Sequence, residues 1–352
     1  MPDITLVNVD IPFVKGKLLT PSVPLGVLYL ASHLLDKGVS VEVRDYQLAE
    51  VSHRYDIDRF MDWLEFDSPY VGFSCNTATL PLTLSAIARV KEKRPEVKTV
   101  IGGVAASLAA EELAINFPEI DYIITGEGEV SLYDLLSGER KPPKIIRSER
   151  ILELDEFPFP AYQLIDISKY LTGMISSRGC PYRCCYCSIV PFRGGKWIRR
   201  SPGQVVAEMR MLKEKYSVIY LGLYDDLLLV DRSWFAELLR EMISADLGFI
   251  WNCWGKVGYL DKELLELMVR SGCASLGFGV ESGSDRVLRE IGKDYGIKKA
   301  QEDIALASRY MNTRVSFIWG FPFESYREFQ ESLIAVAVEL KRKNSDAAFF
   351  LL

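Results

Sequence analysis

The first 137 residues alternate between short apolar runs and longer stretches in which apolar residues recur at helical spacing. Residues 4–9 have the pattern of a buried strand, and residues 24–37 place apolar side chains on one helical face between Pro24 and Gly38. Strands that alternate with helices predict a parallel sheet wrapped by helices on both faces. The same reasoning predicts strands at 39–44, 70–74, 97–101 and 122–125, and helices at 81–94 and 108–117.

In such a sheet the loops that follow the strands meet at one edge, and a switch in strand order opens a ligand crevice there. The corresponding loops of this chain are rich in Gly, Ser and Thr, small residues that let a large polar ligand approach the backbone. We therefore expect the ligand of this region to lie against residues 10–23, 74–80, 102–107 and 126–129.

Residues 138–172 interrupt the alternation with several prolines, among them the pair Pro142-Pro143. Because the residue before a proline favours extended backbone, we expect a linker strapped along the surface. From residue 173 the alternation resumes as six strand–helix units in a row. Their predicted strands lie at 174–177, 218–223, 249–254, 274–280, 315–319 and 347–352, and their helices at 205–216, 234–244, 262–270, 297–310 and 327–341.

Composition narrows the class of protein. Hydrophobic residues make up 49% and charged residues 26% of the 352 residues, which is typical of a globular chain of about two domains. The net charge of −6 gives no basic excess of the kind that nucleic-acid binding requires. We expect no membrane span and no signal peptide. Seven cysteines, four of them in one loop, suit a reducing cytoplasm better than a disulfide framework.

Three cysteines in one short loop, Cys180, Cys184 and Cys187, have the spacing C-x3-C-x2-C. Iron–sulfur cubanes are usually held by four thiolates, so three leave one iron open to a small molecule. A zinc site is the alternative, but zinc sites mostly pair two distant C-x2-C knuckles or add a histidine, and His33 and His53 lie far upstream. The spacing favours the open cluster.

The cysteine loop, with Tyr186 just before its last cysteine, resembles the radical S-adenosylmethionine (SAM) superfamily. The region ahead of it, with the runs at 24–31, 101–103 and 125–129, resembles the cobalamin-binding (class B type) subgroup of that superfamily. The resemblance implies three cofactors: a [4Fe–4S] cluster held by the three cysteines, SAM and cobalamin.

The resemblance also implies an α/β fold with two domains. Residues 1–137 would form a doubly wound, Rossmann-like cobalamin domain, residues 138–172 a linker, and residues 173–352 a partial (βα)6 radical SAM barrel. Family members commonly continue past the sixth strand, so we expect the C-terminal region to be cut short at Leu352.

Polar residues at the ends of the predicted barrel strands are the SAM contacts that the resemblance implies. Glu281 would accept the ribose hydroxyls, and the carboxylates Asp225 and Asp226 would accept the ammonium group. The full set is Tyr186, Asp225, Asp226, Glu281, Ser282, Gly320 and Pro322.

Cobalamin would lie on the loops at the sheet edge of the N-terminal domain. The implied contacts are Ser74, Asn76, Thr77, Gly102, Gly103, Gly126, Glu127 and Gly128. The mutase motif Asp-x-His-x-x-Gly is absent, and neither histidine follows a predicted strand. We therefore expect cobalt to have no lower histidine ligand.

These features imply a cobalamin-dependent radical SAM methyltransferase. Through a 5′-deoxyadenosyl radical and methylcobalamin, it would methylate an unactivated carbon of a small molecule, peptide or protein. Two alternatives stay open: a radical SAM enzyme that catalyses a rearrangement or cyclisation, and a non-catalytic cobalamin or redox-sensing module. The expected partners are the substrate and a reductant such as flavodoxin or ferredoxin, with no nucleic acid.

Overall fold

The computed structural model of the chain describes residues 1–10, 13–14, 17–18, 20–49, 55–138, 142–334 and 348–351. They fall into two compact units, Met1–Leu171 with Pro191–Arg193 and Thr172–Val190 with Gly194–Leu352. His53 and the part of the last predicted helix beyond residue 334 lie outside the described residues. In this part of the chain no helix is both long enough and apolar enough to cross a membrane.

The first unit alternates strands and helices as the apolar pattern predicts. Its strands are β1 (Ile4–Val9), β2 (Phe13–Val14), β3 (Lys17–Leu18), β4 (Val41–Asp45), β5 (Tyr70–Cys75), β6 (Lys98–Gly102), β7 (Tyr122–Thr125) and β8 (Ile145–Arg147). Its helices are α1 (Leu25–Asp36), α2 (Ile57–Trp63), α3 (Leu80–Lys93), α4 (Val104–Leu108), α5 (Ala110–Asn116) and α6 (Glu129–Ser137).

The six longer strands form one parallel sheet in the order β4-β1-β5-β6-β7-β8. The chain steps to one side of β1 first and to the other side afterwards, so right-handed crossovers place helices on both faces. Two apolar cores result. Residues of α2, α3, α4 and α5 pack on one face around Val7 and Phe73, and α1 and α6 pack on the other around Leu6 and Val100.

Several details of the first unit differ from the sequence prediction. The helix predicted at 108–117 is observed as α5, and the pattern did not predict α4, which precedes it and meets it at Ala109. Helix α2 was missed because it is only seven residues long. The proline-rich stretch contributes β8, which extends the sheet beside β7.

The second unit repeats a strand–helix pair along the chain. Its strands are β9 (Gly173–Met174), β10 (Ser177–Arg178), β11 (Ile198–Arg199), β12 (Tyr220–Leu223), β13 (Ile250–Gly255), β14 (Cys273–Glu281), β15 (Asn312–Phe317) and β16 (Ala348–Leu351). From residue 189 onward the helices are α7 (Ile189–Arg193), α8 (Pro202–Tyr216), α9 (Arg232–Ala245), α10 (Lys262–Arg270), α11 (Asp285–Glu290), α12 (Ile297–Ala307) and α13 (Tyr326–Ser332). The last three residues of α7, Pro191–Arg193, belong to the first unit.

Six of these strands form an open parallel sheet in the order β16-β15-β14-β13-β12-β9, which is the order of the chain. Since every right-handed crossover then runs in the same direction, the helices cover one face only. That face carries fully buried apolar side chains such as Leu221, Trp251 and Phe278. We call the opposite side of the sheet the inner face.

The first predicted strand of this unit, 174–177, is wrong. Only Gly173–Met174 pairs with β12, and the chain then turns into β10, which pairs antiparallel with β11. The parallel order of the remaining strands confirms the predicted α/β fold with a partial barrel.

Candidate functional site

The cysteine loop of the second unit follows β10 and is closed by a hydrogen bond from the Cys187 N–H to the Cys184 carbonyl at 3.0 Å. Cys180, Cys184 and Cys187 are all partly buried, whereas Cys185 is exposed. The Cys185 N–H donates to the Ile291 carbonyl at 3.1 Å. The three cysteines that the spacing predicts as cluster ligands are therefore the partly buried ones, and the cysteine outside that spacing is exposed.

The three thiols are close enough to affect one another electrostatically. Burial and the neighbouring Cys187 and Cys184 raise the pKa of Cys180 to about 12. Burial also raises the pKa of Cys184, while Lys293 acts to lower it. A bound metal removes such protons, because a coordinating thiol is deprotonated. Three partly buried thiols on one loop fit the thiolate ligands of a cluster.

No group of three His, Cys, Asp or Glu side chains among the described residues converges on a single ion. In a cubane each cysteine binds its own iron, so the ligands of a cluster stand around a larger body than the ligands of one ion.

Glu281 ends β14 in an unusual backbone conformation. Its φ is +74°, and the register between β14 and β15 shifts just before it. A residue other than glycine in this region is strained, and such strain is commonest at functional sites. The bulge re-aims the carboxylate, which accepts a hydrogen bond from the Tyr186 hydroxyl at 2.9 Å.

Lys293 is a site residue that the sequence did not single out. Its ammonium donates to the Gly279 carbonyl at 2.9 Å and lies 3.4 Å from the Glu281 carboxylate. The turn that carries it also packs on the cysteine loop, since a Cβ added at Gly292 would lie 3.2 Å from the Arg183 carbonyl oxygen. Twelve residues separate Lys293 from Glu281, so only the fold of α11 and its turn brings the two together.

Asp225 and Asp226 follow β12 and have different surroundings. One oxygen of Asp225 accepts from the hydroxyls of Ser176 at 2.8 Å and Ser177 at 2.6 Å, while the other is buried without a hydrogen-bond partner among the described residues. Burial raises the pKa of Asp225 to about 6. Asp226 accepts from the Gly179 N–H at 2.6 Å, next to the first cysteine. The partnerless oxygen of Asp225 suits an ammonium donor, and Asp226 anchors the loop.

The remaining predicted SAM contacts are Ser282, Gly320 and Pro322, and they differ in burial. Ser282 is fully buried, its hydroxyl lies 3.2 Å from that of Ser332, and it accepts from the Ser284 N–H. This hydroxyl stabilises the turn after β14, and its contact with SAM stays a prediction. Gly320, at φ +93°, has open space beside its Cα, and Pro322 is exposed. The residue between them, Phe321, lies 5.8 Å from the Tyr186 ring.

In the first unit, the switch in strand order lies between β1 and β5. There the Asn76 amide donates to Asp10 at 2.9 Å, and the Asn76 side-chain oxygen accepts from the Ala78 N–H. The Thr79 hydroxyl donates to the Val9 carbonyl at 2.6 Å. Asn76 therefore shapes the loop, while the neighbouring Thr77 is exposed at the same edge.

Glycines bring the next loops close to this edge. Gly103 has φ +92° and ψ −177°, and a Cβ there would lie 2.8 Å from the Cys75 carbonyl oxygen. Gly102 and Ser74 are paired partners on β6 and β5. The Gly126 N–H donates a hydrogen bond to the Ser107 hydroxyl oxygen at 3.1 Å. These loops leave backbone rather than side chains at the crevice, which fits a large ligand.

Two of the predicted cobalamin contacts have structural roles in the fold. The Glu127 side chain is only 2% exposed, forms ion pairs with Arg150 and Arg193, and accepts from the Ile151 N–H. Gly128 lies under Ile124 and Leu30, where a Cβ would come within 3.3 Å of both side chains. The side chain of Glu127 is thus withdrawn from the crevice, and Gly128 allows close packing of α6.

Comparison with protein families assigns both regions. Residues 12–136 match the B12 binding domain, and residues 174–335 match the Radical SAM superfamily. The chain belongs to the cobalamin-binding radical SAM enzymes. The predicted family, fold class and cofactors are therefore confirmed, and the cofactors are a [4Fe–4S] cluster, SAM and cobalamin.

Individual relatives of this radical SAM enzyme match along most of its length. An uncharacterized methyltransferase, PH0819, of Pyrococcus horikoshii is 28% identical over 93% of this chain and 75% of its own. Cytidylyl-2-hydroxyethylphosphonate methyltransferase of Streptomyces wedmorensis is 26% identical over 94% and 75%. Anaerobic magnesium-protoporphyrin IX monomethyl ester cyclase of Synechocystis is 24% identical over 87% and 66%.

A solved structure shares the fold. The radical SAM methyltransferase TsrM from Kitasatospora setae, solved with cobalamin and a [4Fe–4S] cluster, superposes with a TM-score of 0.78 at 19% identity. The match covers all of this chain and 75% of the TsrM chain.

Proposed function

We propose that this protein is a cobalamin-dependent methyltransferase that adds a methyl group to an unactivated carbon of a small molecule, peptide or protein. The observation that carries the proposal is the extent of its similarity to proteins named as methyltransferases. Two of them match more than nine-tenths of the chain, and so include both the B12 binding domain and the radical SAM domain.

The residues of the radical SAM domain fit defined roles in that reaction. Cys180, Cys184 and Cys187 would hold the cluster, and the strained Glu281 would bind the ribose of SAM. Asp225 would offer its partnerless oxygen to the ammonium group. When bound, the cluster and cobalamin supply radical generation and methyl delivery, and the protein supplies binding and orientation.

A second candidate is a radical SAM reaction without methyl transfer. It is favoured by the similarity to a protein named as a cyclase, which also matches most of the chain. The residues that would bind the cluster and SAM are the same in both cases. The substrates named for these relatives also differ from one another, so none of them is transferred to this chain.

Anaerobic reconstitution with iron, sulfide, cobalamin and methyl-labelled SAM separates the two candidates when a chemical reductant is added, because methyl transfer from SAM needs cobalt(I) and SAM cleavage needs one electron from the reduced cluster. The methyltransferase should release S-adenosylhomocysteine and place the label on the bound corrinoid before any substrate is added. Formation of 5′-deoxyadenosine without any demethylated SAM would contradict methyl transfer and support the second candidate. The Glu281→Ala variant should bind SAM roughly tenfold more weakly at unchanged iron content, since charged hydrogen bonds are worth about 1.5–3 kcal/mol. Equal SAM affinity would remove this role.

We further propose that cobalt lacks a histidine ligand. His33 is buried in α1, where its ring lies 5.1 Å from Phe157 and 6.1 Å from Tyr133. Burial lowers the pKa of His33, as expected for a core residue. Electron paramagnetic resonance of the cobalt(II) form should show no nitrogen coupling from histidine, and such coupling would contradict the proposal.

Radical SAM chemistry needs an electron donor. We propose that flavodoxin or ferredoxin supplies the electron in a reducing cytoplasm, which also keeps the cysteines as thiols. Reduction of the cluster by a purified flavodoxin, followed by its absorption spectrum, tests the pairing.

A further inference from the structure

The inner face of the barrel sheet carries one cation that no described carboxylate neutralises. Arg314, on β15, donates from Nη2 to the Asn252 side-chain oxygen at 3.1 Å. Its Nε is buried and has no hydrogen-bond partner among the described residues. A guanidinium has five N–H donors, and leaving a buried donor without an acceptor is costly. Such an arrangement is typical of a site that awaits an anion.

Two aromatic rings lie flat on the same face because the strands beneath them carry glycines. A Cβ added at Gly277, the partner of Trp254 on β14, would lie 2.5 Å from the Trp254 ring. The ring of Tyr224 covers Gly222 and Gly173 in the same way. The two rings nevertheless keep 36% and 39% of their surface exposed. The glycines thus create a floor of exposed aromatic surface inside the barrel.

The cation and the rings form one arrangement. The Arg314 guanidinium carbon lies 5.4 Å from the centre of the Trp254 ring, and Arg314 pairs with Gly277 in the sheet register. A guanidinium that stacks on an aromatic ring keeps its N–H edge for a planar acceptor. Ser275 and Ser316 flank Arg314 on the same face, and neither hydroxyl bonds to another described residue. Both can donate to the same anion.

Arg314 lies farther from the carboxyl end of the strands than the predicted SAM contact Glu281. Glu281 pairs with Phe317, and Arg314 is three residues earlier on that strand, which corresponds to roughly 10 Å along it. A molecule whose anionic end meets Arg314 can therefore extend its other end toward the end of the barrel where Glu281 lies.

We propose that the inner face is the substrate site and that the substrate is a planar organic anion. Arg314, Ser275 and Ser316 bind its carboxylate or phosphonate group, and Trp254 and Tyr224 contact its ring. This inference rests on the proposed function, because it assigns the substrate class of that enzyme.

Binding of small probes to the reconstituted holoenzyme tests the inference without turnover. Saturation-transfer NMR should show indole-3-carboxylate or phenylphosphonate binding about tenfold more tightly than the neutral indole-3-carboxamide, as expected for one charged hydrogen bond. The two acids separate a carboxylate substrate from a phosphonate substrate. Arg314→Met should remove the preference for the acid, Arg314→Lys should keep part of it, and Trp254→Leu should weaken all three probes.

Arg309→Met is the matched control, since Arg309 is exposed in the same unit and its loss removes the same charge. It should leave probe binding unchanged. SAM affinity and iron content should be unchanged in Arg314→Met, which shows that the variant folds. Equal binding of acid and amide to the wild-type protein overturns the inference, as does an Arg314→Met variant that loses SAM and keeps the preference for the acid.

Failure of this inference and failure of the proposed function are distinguishable. If the protein prefers the acid but never demethylates SAM, the anion site is supported and the methyltransferase function is contradicted. If the protein transfers a methyl group to the corrinoid but has no preference for either acid, the methyltransferase function is supported and the anion site is contradicted.

Discussion

The two units are built from the same strand–helix repeat and differ in strand order. In the first unit the order reverses at β1, so helices cover both faces and a ligand can reach only the loops at the sheet edge. In the second unit the order follows the chain, so one face has no helices. That face is left for side chains such as Trp254 and Arg314.

The two units also differ in how their buried carboxylates are paired. In the first unit the buried carboxylate Glu127 is neutralised by Arg150 and Arg193. In the second, one carboxylate oxygen of the buried Asp225 has no hydrogen-bond partner among the described residues. Satisfied buried charges hold a fold together, whereas partnerless ones are costly unless a ligand completes them. Side-chain chemistry is therefore expected in the second unit and backbone recognition in the first.

The largest expected effect is loss of the cluster. Cys184→Ala should abolish the open cluster and all SAM cleavage, because the remaining two thiolates cannot hold it. The exposed neighbour is the control, and Cys185→Ala should spare both. Iron content and the absorption spectrum measure this, and corrinoid retention by Cys184→Ala should be unchanged. Loss of iron in the Cys185 variant alone would reverse the ligand assignment.

Next in size is the buried charge of the first unit. Glu127→Gln should destabilise the protein by about 3–5 kcal/mol, because it leaves Arg150 and Arg193 without their counter-charge. Urea unfolding followed by circular dichroism measures the free energy. The exposed Glu112→Gln should change it by less than about 0.5 kcal/mol. A stable Glu127→Gln protein that fails to retain cobalamin would return Glu127 to the ligand crevice.

A smaller effect is expected at the glycine turn after β6. Gly103→Ala should cost about 1–3 kcal/mol and weaken corrinoid retention, because its backbone conformation is confined to glycine and its Cβ would meet the Cys75 carbonyl. At Gly102 the nearest atom to an added Cβ is 3.5 Å away, so Gly102→Ala is the control. Equal stability of the two variants would contradict the account of this turn.

Asp225, a buried carboxylate of the second unit, should make the stability of the protein depend on pH. Since the pKa of folded Asp225 is raised to about 6, the folded state holds this proton up to a higher pH than the unfolded state does. The stabilisation is complete below about pH 4 and is lost as the pH rises through 6, and each tenfold difference in proton affinity corresponds to about 1.4 kcal/mol. Unfolding at pH 5 and pH 7.5 should show this loss in the wild type and not in Asp225→Asn. Parallel profiles would refute it.

The smallest effect concerns a glycine within one of the runs that resemble the family. Gly26 lies in α1 with nothing within 4 Å of an added Cβ. Gly26→Ala should therefore stabilise the protein by up to about 1 kcal/mol through helix propensity. Thermal unfolding measures the gain, a loss of stability would contradict it, and a stable variant that loses cobalamin would show that this glycine meets the ligand.

The sequence by itself determined the features that depend on local period and spacing. The strand at Tyr122–Thr125 and the helix Lys262–Arg270 begin and end where the apolar pattern places them. The cysteine spacing predicts the cluster ligands because all three belong to one loop of eight residues. The pattern did not predict α2, because a seven-residue helix contains too few turns to establish a period.

Only the tertiary structure decided which distant side chains meet. The register shift before Glu281 turns its carboxylate toward Tyr186, and α11 returns Lys293 to the same place. Glu127 forms ion pairs with two arginines that reach it from other segments. Strand order set Arg314 beside Trp254, sixty residues away. Local pattern fixes the face of an element that is buried, but register and strand order determine its partners, since they depend on contacts between segments far apart in the chain.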